Sequence, residues 1–336
     1  MSDKKRAPLD IKNLQTDTLG VRAGVRRTEF NEHSEAMFLT SSFCFDSAAD
    51  AAHGFANAEK GFIYSRFTNP TVAMFQDRLA AMEGGQACIA TSSGMSAIMT
   101  VAMSHLQAGD HVVCSRSVFG ATIQLFTTIL GKFGIETTYV DMSDLGSWQA
   151  AVKPNTKLFY LETPSNPLTE VADIAGIAKT AKAANALYVV DNCFCTPALQ
   201  KPLELGADVV IHSATKYLDG QGRVLGGAVV GTEEFILGKV FPYVRTSGPT
   251  LSAFSPSVSL SPSISPSLSP SLSPSISPSV SPSVSLSPSL SPSLSPSLSP
   301  SISPSVSPSV SLSPSLSPSI SPSLSPSISP SVSPVS

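Results

Sequence analysis

The segment "ADVVIHSATKYLDGQG", Ala207 to Gly222, places a lysine just past an apolar run. Val209, Val210 and Ile211 read as a buried strand, which breaks into His212, Ser213, Ala214 and Thr215 before Lys216. A lysine beside small hydroxyls at the end of such a strand stands where burial favours its neutral, nucleophilic form. A surface lysine with its stem along the sheet edge would leave the same local pattern.

Two further strand ends carry polar residues. After "ACIA" comes Thr91-Ser92-Ser93-Gly94-Met95, opening a helix. Small residues there let backbone N–H groups approach an anion at the positive end of the helix dipole, and Ser93 would equally serve as a plain N-cap. After "LYVV" come Asp191 and Asn192. An acid ending a buried strand is costly unless it meets a cation or strong donors; alone it fits a turn equally well. Together, an anion site, a buried carboxylate and a desolvated amine at one sheet edge meet the needs of pyridoxal phosphate. Its phosphate needs N–H groups and hydroxyls, its ring nitrogen a carboxylate, and its aldehyde a lysine to form a Schiff base. Lys216 would then hold the cofactor, with Ser213 and Thr215 on its phosphate.

These residues need a scaffold, and the pattern of elements supplies one. "TVAMFQDRLAAME" puts Val72, Phe75, Leu79 and Met82 on one helical face and stops at Gly84-Gly85. Strands are expected at "ACIA", "HVVCS", "ETTYVD", "KLFYLET", "LYVVDN" and "DVVIHS". Helices are expected at "GMSAIMTVAMSHL", "ATIQLFTTILGKF" and "IAGIAKTAKAA". Short apolar strands alternating with amphipathic helices predict an α/β fold with a mostly parallel sheet covered on both faces. Ligands bind such sheets at the carboxyl ends of the strands. A dinucleotide fingerprint is absent, because the glycines of "DGQGRVLGG" have the wrong spacing.

Composition bounds the rest. The net charge of −3 lies entirely before Ser255 and gives no electrostatic footprint for nucleic acid or an anionic membrane. The five cysteines (Cys44, Cys88, Cys114, Cys193, Cys195) have no metal-ligand or redox-pair spacing. They read as reduced, mostly buried thiols of a cytoplasmic protein. "MSDKKRAPLD" lacks the apolar core of a secretory signal, and no apolar run approaches the roughly 20 residues of a membrane span. A soluble, intracellular protein is expected.

The motifs "YSRFTNPT", "ATSSGMSAI", "ETPSNP", "VVDNCFCTP" and "HSATKYLDGQGRVLGG" closely resemble the pyridoxal-phosphate-dependent transsulfuration family of cysteine and methionine metabolism. "FNEHSEAMFLTSSF" and "DGQGRVLGG" are most similar to its branch of O-succinylhomoserine sulfhydrylases. The resemblance runs from about residue 15 to Phe254. It implies an aspartate-aminotransferase-like large domain over residues 61–254, preceded by an N-terminal arm over residues 1–60. It implies that Lys216 carries the cofactor and shuttles protons, and that Asp191 pairs with the ring nitrogen. Gly94 and Met95 would offer N–H groups to the phosphate beside Ser213 and Thr215, and Asn166 would contact the phenolic oxygen. Tyr64 and Arg66 would reach across a homodimer or homotetramer interface to the neighbouring phosphate, with Tyr64 a catalytic residue near the substrate amine. Phe119 stands where many members stack a tyrosine, so the face is kept and the hydroxyl lost. The implied reaction is γ-replacement on an activated homoserine ester by sulfide, giving homocysteine. A γ-lyase or cystathionine γ-synthase type of reaction is the alternative.

At Ser255 the resemblance stops. The family continues into a C-terminal small domain whose arginine grips the substrate carboxylate, whereas no cation follows Arg245 here. Residues 255–336 contain only Ser, Pro, Val, Ile and Leu, and "VSLSP" recurs from Val258, Val284 and Val310, 26 residues apart. Proline about every fourth residue blocks helices and sheet interiors, so an extended or disordered tail is expected in place of the small domain. A cofactor-binding remnant without activity is the competing expectation.

Overall fold

The computed structural model describes residues 11–258 apart from Lys12, Glu59 and Lys60. The repeat tail is expected to be extended from residue 255, but its first four residues close a short helix, Phe254–Val258; residues 259–336 lie outside the described residues. The six expected strands form as β1 (Ala87–Thr91), β2 (His111–Ser115), β3 (Glu136–Val140), β4 (Thr156–Glu162), β5 (Leu187–Asp191) and β6 (Val209–His212). A seventh, β7 (Gly227–Gly231), comes from the glycine-rich run that the sequence reading left unassigned. The order is β1-β7-β6-β5-β4-β2-β3. Strands β2 to β6 pair in parallel, and β7 runs antiparallel to both its neighbours, β1 and β6. Thr91, Ser115, Glu162, Asp191 and His212 therefore end their strands at one edge.

Glycine opens β7 for a steric reason. A Cβ on Gly227 would stand 2.1 Å from the Ser93 carbonyl oxygen. Only glycine lets the loop before the next helix pass so close.

Alternation along the strands fills both faces. Leu158 and Tyr160 of β4 join Val189, Val209 and Ile211 in a buried layer against Ile98 and Val101 of α4 (Gly94–His105). Phe159 and Leu161 face the other way, with Val113, Tyr188 and Val190, onto Trp148 and Ile177. Those two sit on α6 (Leu145–Ala150) and α7 (Ile174–Ala183). The helix expected over Ala121–Phe133 is interrupted. It begins as α5 (Gly120–Gln124), then loosens into a π turn and tightens into a 3-10 turn ending at Phe133. Before the sheet, α1 (Thr16–Arg22) packs Leu19 onto Met82, and α2 (Ala48–Ala56) starts on the Ser47 cap. Among the described residues no helix is long and apolar enough to cross a membrane.

Helix α3 (Pro70–Glu83) follows the expected bounds, with Asn69 accepting the Thr71 N–H and Gly84 left-handed at φ +76°. Its last residue anchors it to the functional edge. Glu83 Oε1 accepts from Asn192 Nδ2 at 2.9 Å and from the His212 ring Nε2 at 2.6 Å. Glu83, Asn192 and His212 are all fully buried. Replacing Glu83 leaves the His212 Nε2 buried without this partner and removes one of the two acceptors of Asn192 Nδ2, which keeps the Gln200 carbonyl at 2.9 Å. Glu83→Ala is expected to lower stability by on the order of 3 kcal/mol, read from urea unfolding. A loss within experimental error would contradict the anchoring role.

Candidate cofactor site at the carboxyl edge of the sheet

The N-terminus of α4 is organised for an anion. Ser93 accepts from the Ser96 N–H at 3.1 Å, and the Ser96 hydroxyl accepts from the Ser93 N–H at 3.0 Å. The capping role therefore holds, and it satisfies Ser96 while the N–H groups of Gly94 and Met95 belong to the first turn, which has no intrahelical acceptors. A Cβ on Gly94 would stand 2.7 Å from Ser213 Cβ, with Ser213 Oγ 3.0 Å away. Glycine at this position thus lets the end of β6 meet the helix terminus. Helix, hydroxyl and loop form a small cradle with a positive floor.

Thr215 is more tied than the sequence suggests. Its hydroxyl accepts from the Gly226 N–H at 3.0 Å, and its own N–H donates to the Gly226 carbonyl at 3.3 Å. It fastens the turn after β6 to the start of β7. Lys216 lies within that turn, Ala214–Leu218, with non-helical φ/ψ of −87° and −117°. Its side chain is exposed, as is that of Tyr217. The desolvation expected for this amine is therefore not found. The strand ends at His212, so Lys216 stands above the sheet edge and not within its core.

Asp191 is buried, 7% exposed. It accepts from Tyr160 Oη at 3.2 Å and from the Cys193 N–H at 3.1 Å. Burial pushes its carboxyl above the usual carboxylate range, and the nearby His212, these donors and the Cys193 thiol oppose that shift. Burial, and then Asp191, push the Cys193 thiol up as well, which suits an inert buried cysteine. Cys88 and Cys114 are likewise buried, in line with the expectation of mostly buried thiols, while Cys195 is intermediate and Cys44 exposed.

Glu162 belongs to this edge and was not singled out in the sequence. It ends β4 in register with Asp191 and is 2% exposed. Its Oε2 accepts the Phe119 N–H at 2.6 Å. Burial first, and then Asp191, raise its carboxyl to about 7. An acid closing the apolar run "LFYLE" is the same signal that marked Asp191, so the sequence did carry it. Phe119, on the loop after β2, is the N-cap of α5, and its side chain is 49% exposed.

The remaining expected residues make no hydrogen bond to this cluster. Asn166 lies half-buried in the loop after β4, before a cis proline, and makes no hydrogen bond to the cluster. Arg66 donates to the Arg245 carbonyl and lies 4.7 Å from the Phe67 ring centroid and 5.5 Å from that of Tyr64. Within one copy of the chain, Tyr64 and Arg66 form no hydrogen bond with Lys216, Ser213 or Asp191. Among the described residues no group of His, Cys, Asp or Glu is placed to hold a metal ion.

The edge thus offers an anion cradle, an exposed amine and two buried carboxylates that form no salt bridge among the described residues. That donor set fits pyridoxal phosphate: an anion, an aldehyde and a basic ring nitrogen. The raised Glu162 carboxyl also gives a sign for the pH dependence of stability. Its protonated form contributes stability that is fully present below the unfolded value of about 4.3 and is lost as pH rises through about 7. The unsubstituted chain is expected to lose on the order of 3 kcal/mol between those limits through this group. Glu162→Gln, neutral throughout, should flatten the decline in urea unfolding at pH 5 and pH 8. An equal decline in the variant would contradict the assignment.

The sequence profile described as "Cys/Met metabolism PLP-dependent enzyme" matches residues 17–260. An O-succinylhomoserine sulfhydrylase of Pseudomonas aeruginosa is 57% identical over 253 residues, 75% of this chain and 62% of that protein. An L-methionine gamma-lyase of Treponema denticola is 43% identical over 248 residues, 73% of this chain and 62% of that protein. A Campylobacter jejuni structure carrying N'-pyridoxyl-lysine-5'-monophosphate matches with a TM-score of 0.71 and 29% identity, covering 75% of this chain and 70% of that one. The chain spans 62% of the length of both curated relatives. With the profile lying across the sheet and every strand end described above, the chain belongs to the pyridoxal-phosphate-dependent enzyme family of cysteine and methionine metabolism.

Proposed function

We propose that the chain carries the cofactor half of an enzyme of γ-replacement on O-succinylhomoserine, with sulfide as the incoming group. In the net reaction the ester C–O bond at Cγ breaks, succinate leaves with its electron pair, and a C–S bond forms at the same carbon to give homocysteine. The observation that carries the reading is the seat of Ser213 against Gly94, which unites the anion cradle with the strand that leads to Lys216. The 57% identity to the Pseudomonas sulfhydrylase supports the substrate class. The 43% identity to the Treponema lyase keeps elimination without sulfide as the second reading.

When bound, pyridoxal phosphate supplies an electron sink for charge that develops on the substrate next to its amine. The residues do the rest. Gly94 and Met95 would donate N–H groups to the phosphate, joined by the Ser213 hydroxyl; Thr215 would join them only by giving up the 3.3 Å bond from its hydroxyl to the Gly226 carbonyl. Asp191, held by Tyr160 and Cys193, would face the ring nitrogen and keep it protonated. Lys216 Nζ would anchor the aldehyde carbon and carry protons to and from the substrate. Phe119 presents an aromatic face without a hydroxyl, so it takes no proton, and Asn166 would meet the phenolic oxygen. Tyr64 and Arg66 would serve the neighbouring site of a homodimer or homotetramer.

The test is the visible absorption of the full chain with pyridoxal phosphate, beside Lys216→Ala, followed by turnover of O-succinylhomoserine with and without sulfide. A band in the unsubstituted chain that Lys216→Ala lacks, with homocysteine formed only when sulfide is added, is the expected result. An α-keto acid formed without sulfide would favour the lyase. A soluble chain with no band would overturn the cofactor reading, and a band without turnover would leave a cofactor-binding chain that is not an enzyme.

A further inference from the structure

The cofactor reading gives Glu162 no part, yet its surroundings do. Its residue pairs with Asp191 across β4 and β5, and strand alternation puts both side chains on the face of Tyr160, which bonds Asp191. One carboxylate oxygen is committed to the main chain of Phe119 at 2.6 Å. Phe119 has no side-chain cap for α5, so this bond fixes where the loop after β2 stops and the helix begins.

We propose that Glu162 is a positioning residue of the cofactor site: it pins Phe119 so that the ring covers the cofactor, and it sets a second negative charge beside Asp191. The inference rests on the cofactor reading of this edge. Two neighbouring carboxylates out of water repel each other, and the arrangement is relieved when a cation arrives. A ring that brings positive charge to Asp191 also favours ionised Glu162. Uptake of the cofactor near pH 7 is then coupled to loss of a proton from Glu162.

Among the described residues, four titratable groups face Glu162. Cys114 of β2, Tyr160 of its own strand and Cys193 after β5 are all pushed up by burial. Asp191 of β5 is also raised, and it is the charge to which Glu162 responds.

The experiment is titration of the full chain with pyridoxal phosphate at pH 6 and pH 8, for the unsubstituted protein, Glu162→Gln, Glu162→Ala, Phe119→Ala and the double alanine variant. Glutamine can still accept the Phe119 N–H but carries no charge. It is expected to weaken binding roughly tenfold more at pH 8 than at pH 6, a one-unit effect of the lost carboxylate. The losses of the two alanine variants should fail to multiply in the double variant, since both release the same ring. Infrared difference spectra of the unsubstituted chain at pH 7 provide a reading independent of variant folding: a protonated-carboxyl band should vanish on cofactor addition. Equal losses at both pH values, multiplying losses, or an unchanged carboxyl band would each overturn the positioning role while leaving the cofactor reading in place. No binding by the unsubstituted chain would overturn both.

Discussion

Asp191 and Glu162 lie side by side at the ends of two parallel strands, 7% and 2% exposed, with no cation bonded to either. Burying two carboxylates costs free energy that hydrogen bonds offset only in part. Tyr160, Cys193 and Phe119 each donate to one of them, which holds the oxygens in place without neutralising them. The rest of the edge is consistent with a charge deficit kept open for a cationic ring. The Lys216 amine stands exposed in the turn after β6, and the anion cradle lies where β6 meets α4.

A second constraint is steric. The cradle exists because two backbones approach more closely than side chains allow. Gly94 lies against Ser213, and Gly227 lies against the Ser93 carbonyl. These contacts couple α4 to β6 and β7, so the antiparallel strand contributes to the site although it bears none of the reacting groups. Below the edge, the Glu83 bonds to Asn192 and His212 hold α3 against the same strand ends. Rigid support of this kind limits how far Asp191 and Ser213 move relative to one another.

Much of this was legible in the sequence. The six strand patterns, the Gly84 stop of α3 and the three polar strand ends followed from periodicity and residue type alone. The strand β7 was hidden because its glycines suggested a loop, and the close approach that requires them is a tertiary fact. Glu162 was missed although it repeats the Asp191 signal, because a single acid after an apolar run reads equally well as a turn. Lys216 was expected to be desolvated, but a position one turn past a strand end does not settle what covers it. The Thr215 hydroxyl looked free, since its tie to Gly226 joins residues that the local pattern leaves unrelated. Tyr64 and Arg66 were recognisable only by resemblance, and within one copy of the chain they form no hydrogen bond with the cluster.

The most direct test of the central claim, that this edge is kept open for a cationic ring and its phosphate, is a crystal structure of the full chain grown with pyridoxal phosphate. The account predicts the ring nitrogen on Asp191, the phosphate among Gly94, Met95 and Ser213, and the aldehyde carbon joined to Lys216. A cofactor seated elsewhere, or Asp191 still bonded only to Tyr160 and Cys193 with the phosphate cradle filled by another anion, would contradict it.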